Sequence, residues 1–160
     1  MHRRPASLGL HRRPHRPRTA RGRRSRARQP PGAGAVTGII LVTHDALGEA
    51  VRREAENILD RPVALTTVAV SYRADVEETL AALRIAVATG ADAQGAVVLT
   101  DLPGATPHNL ANQAAEEHGI PVVSGLNLPM LLKTINHADK PPAELAALAA
   151  DGGSQGIVRA

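Results

Sequence analysis

Ile39-Ile40-Leu41-Val42-Thr43-His44-Asp45-Ala46-Leu47-Gly48 is the stretch from which the rest of the chain is read. Four aliphatic residues run without a break into Thr43-His44, where the pattern changes to helical spacing. The run is opened by Val36 and interrupted only by Thr37 and Gly38. It does not alternate, which predicts a strand buried on both faces. Its carboxyl end is then a strand-to-helix turn, where open α/β sheets hold their ligands. His44 is either a functional group at that turn or an exposed residue with no chemistry, and its neighbours in space decide which.

Downstream, Leu47, Val51, Ala55 and Ile58-Leu59 recur at helical spacing among charged residues, predicting an amphipathic helix from about Ala46 to Leu59. Asp60-Arg61-Pro62 ends it, and Val63 to Val70 reads as a second strand. Asp75 opens a helix through Val76, Leu80, Leu83 and Val87, with Asp75, Glu77 and Glu78 where the helix dipole favours acids and Gly90 at its end. Gln94 to Asp101 is a third strand. Thr106-Pro107 predicts the next helix, with Thr106 as cap and Pro107 as first helical residue, running to about His118. Ile120 to Ser124 is a fourth strand, Gly125-Leu126-Asn127 a turn, and Leu128-Pro129 the start of a helix to about His137. Lys140-Pro141-Pro142 breaks that helix. A last one covers Pro142 to Ala150, Asp151-Gly152-Gly153 turns, and Gln155 to Val158 is expected as an antiparallel edge strand. The alternation predicts a doubly wound α/β fold, a mainly parallel sheet with helices on both faces and right-handed crossovers.

Composition agrees with one such domain. The chain has 160 residues, 43% of them hydrophobic, and Tyr72 is its single aromatic residue. A core of Val, Leu, Ile and Ala suits a covered parallel sheet and argues against a module that stacks nucleic-acid bases on aromatic rings. Cysteine is absent, which excludes disulfides and thiolate chemistry, and no apolar run is long enough to span a membrane. The formal charge of +4 averages two unlike segments. Residues 1–35 hold eleven arginines and no acid, leaving eight basic against fifteen acidic residues over 36–160, a net charge near −7. The arginine- and proline-rich stretch 1–35 is expected to be a disordered extension, with a nucleic-acid arm or a targeting leader as the other readings. The fold is expected over 36–160.

Three strands end in polar residues at one relative position: His44, Ser71 and Asp101. Parallel strands bring such ends to one face. The turn Asp101 to Asn109 adds Gly104 and a helix N-terminus, whose free N–H groups favour anions. A neutral imidazole, a carboxylate that fixes its tautomer and helix-end donors are what a phosphohistidine centre needs. A serine hydrolase lacks support because no G-x-S-x-G elbow is present. A metal at His44 and Asp101 lacks an obvious third ligand, and neither G-x-x-x-x-G-K-[ST] nor G-x-G-x-x-G occurs. His108, His118 and His137 read as surface or helix-end residues, with His108 nearest the anion turn. Asp45 reads as a helix cap.

Thr43-His44 with Leu47 and Ala50, then Leu99-Thr100-Asp101-Leu102-x-Gly104-x-Thr106-Pro107-x-Asn109, then Gly125-x-Asn127-Leu128-Pro129-Met130-Leu131, resembles the IIA component of the mannose-type (mannose/fructose/sorbose) sugar phosphotransferase system. The resemblance covers Gly38 to His137. It implies a phosphotransferase of the cytoplasm that takes a phosphoryl group from the phosphocarrier HPr onto His44 and passes it to a IIB component. A free-standing regulatory phosphoprotein without its own permease is the alternative. Asp101 would be the partner of His44. Thr43, Ser71, Gly104, Ala105 and Thr106 would bind phosphate or support the groups that do. Leu102, Pro103, Leu126, Asn127 and Met130 would form a docking rim, although Met130 and its neighbouring leucines also read as core. No metal or nucleotide cofactor is implied, because the energy arrives in the phosphoramidate bond. If Asp101 holds Nδ1–H, the attacking atom is Nε2. A homodimer built through the C-terminal strand is implied, with no membrane insertion and no nucleic-acid partner. The chain departs from the family at Asp45, where glycine is usual, and at Pro103-Gly104-Ala105, where Phe-Gly-Gly is common.

Overall fold

The structure is a computed structural model and describes residues 34–91 and 94–160. The expected disordered extension lies, apart from Gly34 and Ala35, outside the described residues. Nine elements follow: β1 (Gly38–His44), α1 (Leu47–Leu59), β2 (Thr66–Val70), α2 (Val76–Gly90), β3 (Ala96–Thr100), α3 (Thr106–Glu116), β4 (Val122–Ser124), α4 (Leu128–Asn136) and α5 (Pro142–Gln155). The strands form one sheet in the order β2-β1-β3-β4, and every pairing is parallel. The chain winds outward from β1 to β2 on one side, then returns across to β3 on the other. The topological switch point therefore lies between β1 and β3, the crevice where such sheets take ligands.

Because successive side chains of a strand point to opposite faces, the central strands build two cores. Ile40, Val42, Ala96 and Val98 face Leu80, Leu83 and Val87 of α2 and Leu110, Ala111, Ala114 and Ala115 of α3. Ile39, Leu41, Val97 and Leu99 face Ala55 of α1, Met130 and Leu131 of α4, and Leu145 and Ala149 of α5. Each fully buried aliphatic side chain of this kind is worth about 1.5–3 kcal/mol of transfer free energy. The uninterrupted apolar reading of β1 follows directly, since both its faces are covered. Two helix starts are fixed by side chains: Asp75 Oδ1 accepts from Glu78 N–H at 3.0 Å and Asn127 Oδ1 accepts from Met130 N–H at 2.9 Å. Thr37 Oγ1 donates to the Lys140 carbonyl at 2.6 Å, tying the start of β1 to the α4–α5 connection.

The C-terminus corrects the sequence expectation. Asp151-Gly152-Gly153 does not turn, and the antiparallel edge strand over Gln155 to Val158 is absent: α5 continues to Gln155, Gly156 turns, and residues 157–160 pair with no strand. The glycines act here through size. A Cβ on Gly152 would lie 2.6 Å from Lys133 Cβ, and one on Gly153 would lie 2.8 Å from Met130 Cε, so their absence lets α5 lie against α4. Close approach outweighs the weak helix propensity of two glycines. A Gly152→Ala substitution is expected to lower stability by about 1–2 kcal/mol, overpacking against Lys133 exceeding the helix-propensity gain. Urea unfolding of the two proteins measures it.

Candidate active site

The registers of the sheet decide which strand ends meet. Val42 lies opposite Thr100 and His44 opposite Val70, so His44, Asp101 and Ser71 leave the sheet at one edge. Asp101 is fixed by three N–H groups. Its Oδ2 accepts the His44 backbone N–H at 2.8 Å and stands 2.8 Å from His44 Nδ1, and its Oδ1 accepts Leu102 N–H at 2.8 Å. An ionised carboxylate only accepts, so Nδ1 carries the proton and donates it to Asp101. In neutral His44, Nε2 is left with the free lone pair. The Asp101 side chain is 8% exposed and that of His44 19%. Burial alone raises the Asp101 pKa. The His44 backbone N–H, the His44 ring, the Leu102 N–H and the charge on His44 outweigh burial and hold the carboxyl below its ordinary value of 3.8.

Beside His44 is an open cavity of about 370 Å³, lined among others by Ser71, Tyr72, Gly104, Ala105, Thr106 and Asn109. Gly104 adopts φ +77°, a left-handed conformation that favours glycine, and its carbonyl accepts Asn109 Nδ2–H at 3.0 Å. This turn delivers the start of α3 to the cavity wall. The cap differs by one residue from the sequence reading: Asn109 N–H bonds the Ala105 carbonyl, which makes Ala105 the cap and draws Thr106 into the first helical turn. No side chain caps α3. The first-turn N–H groups of a helix have no intrahelical acceptor, and Pro107 has none to offer, so Thr106 and His108 supply the donors there.

The other expected residues divide. Ser71, Gly104, Ala105 and Thr106 line the cavity with His44. Thr43 does not. It is buried, and its Oγ1 accepts Gly48 N–H at 2.8 Å, bracing the turn from β1 into α1 from below. Of the expected rim, Leu102 and Pro103 are exposed beside Asp101. Met130 is core at 3% exposure, Leu126 packs against the same core, and Asn127 is spent on capping α4 and on the Gly153 carbonyl at 3.0 Å. Met130 is therefore core rather than rim, and the half-buried Leu126 and Asn127 are held by internal contacts. The His108 ring does not line the cavity and is satisfied on both nitrogens, by Thr100 Oγ1 at 3.0 Å and Asn112 Nδ2 at 2.9 Å. Tyr72 is what the sequence reading missed: its ring stacks on His44, with centroids 4.9 Å apart and planes 21° from parallel. Its place directly after Ser71, as the chain's single aromatic, was the available signal.

Asp45 is not a cap either. It is exposed at φ +40°, Ala46 takes the cap position of α1, and the Asp45 backbone N–H donates to Val70 O at 3.2 Å.

Residues 38–150 match the model of the EIIA-man family, described as the PTS system fructose IIA component. The chain belongs to this family. Over 122 residues it is 26% identical to the PTS system mannose-specific EIIAB component of Escherichia coli strain K12, covering 74% of this chain and 38% of that relative. It thus spans well under half the length of that relative. Among solved structures, it is similar in fold to the mannose/sorbose specific IIA subunit of Enterococcus faecalis (TM-score 0.72, 24% identity, 79% of this chain and 96% of that one). It is also similar to the phosphotransferase system component EIIA of Streptococcus agalactiae (TM-score 0.68, 26% identity, 76% and 95%). The chain carries the polar strand ends His44, Ser71 and Asp101 on one edge of its parallel sheet. Among the described residues no helix is long and apolar enough to cross a membrane.

Two measurements follow from the site. Asp101 stabilises the fold fully above its unfolded value near 3.8, and that contribution is lost as pH falls from there through the lowered folded value. Urea midpoints should therefore drop more steeply with acid in the wild type than in Asp101→Asn. Asp45→Gly should raise stability by about 0.5–1 kcal/mol, because glycine adopts positive φ without the Cβ penalty. Thermal unfolding reads the change.

Proposed function

We propose that the domain is a phosphohistidine carrier, taking a phosphoryl group from a histidine of HPr onto Nε2 of His44 and handing it to a IIB component. The observation that carries this reading is the His44–Asp101 pair at the switch point, with its tautomer set by a buried carboxylate and an anion-favouring helix start across the cavity. Family membership supports the reaction class, and the mannose-specific and mannose/sorbose-specific relatives support a hexose system as its setting.

The chemistry is an in-line exchange. The lone pair of Nε2 attacks phosphorus as the P–N bond to the donor imidazole breaks, and the donor nitrogen keeps that electron pair. Positive charge develops on the His44 ring, whose Nδ1–H already points at the Asp101 carboxylate, so no group has to reorient as the charge appears. The α3 N-terminus and Ser71 supply donors for the phosphoryl oxygens. The reverse geometry serves transfer to the acceptor. Exposed Leu102, Pro103, Val76 and Leu47 give a protein partner apolar surface near His44. A homodimer belongs to the same proposal, with exposed Ile157 and Val158 offering apolar surface at the C-terminus, and so does a place in the cytoplasm.

Incubation with phosphorylated HPr, followed by peptide mapping of the phosphate, tests the reading. Label is expected on His44 and absent from His44→Gln. Asp101→Asn, checked for native circular dichroism, should slow labelling by about 10²-fold through loss of the charged partner. Full labelling of His44→Gln overturns the assignment.

A further inference from the structure

We propose that Tyr72 is a positioning residue for the phosphoryl-accepting histidine, its ring holding the His44 imidazole in plane and stabilising the positive charge that transfer places on it. The inference deepens the phosphohistidine reading and rests on it. Its warrant is geometric. The Asp101 hydrogen bond constrains the imidazole at one edge, through Nδ1. A single hydrogen bond tolerates considerable tilt of the ring. The stacked phenol, 4.9 Å away and 21° from parallel, limits that tilt from the face.

Tyr72 has no other evident duty. It is 80% exposed, contributes to neither core, and is the only aromatic residue of the whole chain. A large aromatic ring left in solvent gains little from burial. It stacks on the ring at which the reaction is proposed, and it lines the same cavity as Ser71 and Thr106.

The stack interacts more strongly with the phosphoryl-bearing ring than with the free one. An aromatic face carries negative quadrupole and attracts a cation lying over it. While Nε2 is free, the stack is one between neutral rings. As the P–Nε2 bond forms and the donor P–N bond breaks, the imidazole becomes cationic between two complementary groups, the Asp101 carboxylate at its edge and the Tyr72 face beside it. The contact is stronger at that point than before it, which is the condition for raising a rate. Because Tyr72 is so exposed, water screens the effect and its size is that of a surface ring–cation contact.

The experiment uses phosphoramidate as donor, so that no protein docking contributes, and follows phosphate on His44 by peptide mapping. Tyr72→Phe keeps the ring face and should label at the wild-type rate. Tyr72→Ala and Tyr72→Leu should label about two- to fivefold more slowly, as expected for loss of an exposed ring–cation contact. A second readout is specific to this chain: all its aromatic emission comes from Tyr72, and phosphorylation of His44 should change that emission in the wild type and leave it unchanged in His44→Gln. Equal rates across the four proteins, or a wild-type rate in Tyr72→Leu, overturn the positioning role while leaving His44 as acceptor. Absence of label on His44 in the wild type overturns the acceptor reading and this one together.

Discussion

The constraint on which the site depends is the parallel register of β1 against β3, with Val42 facing Thr100. It puts the Asp101 carboxylate where one oxygen can take both the backbone N–H and the ring nitrogen of His44 at 2.8 Å. A slip of one residue would turn the strand's core side chains to the opposite face and carry the carboxylate off the edge. Burial of Ile39 to Val42 on two faces forbids that slip. The stability of the sheet and the geometry of the site therefore have one cause: the apolar run that fills both cores also fixes the alignment of the two polar ends.

Much of this was legible in the sequence, for a physical reason. The covered strands β1 and β3 bury only threonines among polar residues, each with a hydrogen-bond partner for its hydroxyl, so His44 and Asp101 mark where these strands emerge, while Ser71 marks the end of the less covered β2. The helices between them announced themselves by spacing and by Asp75. What was not legible depended on side-chain packing across elements. Gly152 and Gly153 read locally as a turn, yet their small size against Lys133 and Met130 is what α5 uses to continue. Met130 and Asn127 belong to a recognisable motif, and that motif builds the start of α4 rather than a rim. Thr43 adjoins the histidine in sequence, but strand alternation sends its side chain inward to Gly48.

Asp45 shows how a backbone requirement and a charge requirement can diverge. The turn after His44 needs positive φ, and glycine meets that need at no steric cost. Aspartate is among the few other residues that adopt it readily. Its carboxylate is exposed, so water screens much of its repulsion of a nearby phosphate. The substitution therefore keeps the turn and, with it, the Asp45 N–H bond to Val70 that closes the edge of the sheet. In the proposed transfer, the penalty falls on the approach of the phosphoryl group, a step that increasing salt would ease.

The scarcity of aromatic residues links the core to the site. Helices of Ala, Leu and Val can lie close on a sheet of Val, Ile and Leu, and cores built from such side chains have well-defined rotamers. No phenyl or indole ring is used to fill either layer. The single ring the chain does carry stands outside both, against the one imidazole whose charge changes in the proposed reaction. A ring in the core would contribute through the area it buries. A ring in solvent contributes through its face alone, and its contribution depends on the charge of the group it covers. On the proposed reading, Tyr72 serves a task that varies through transfer, whereas the aliphatic core serves one that does not.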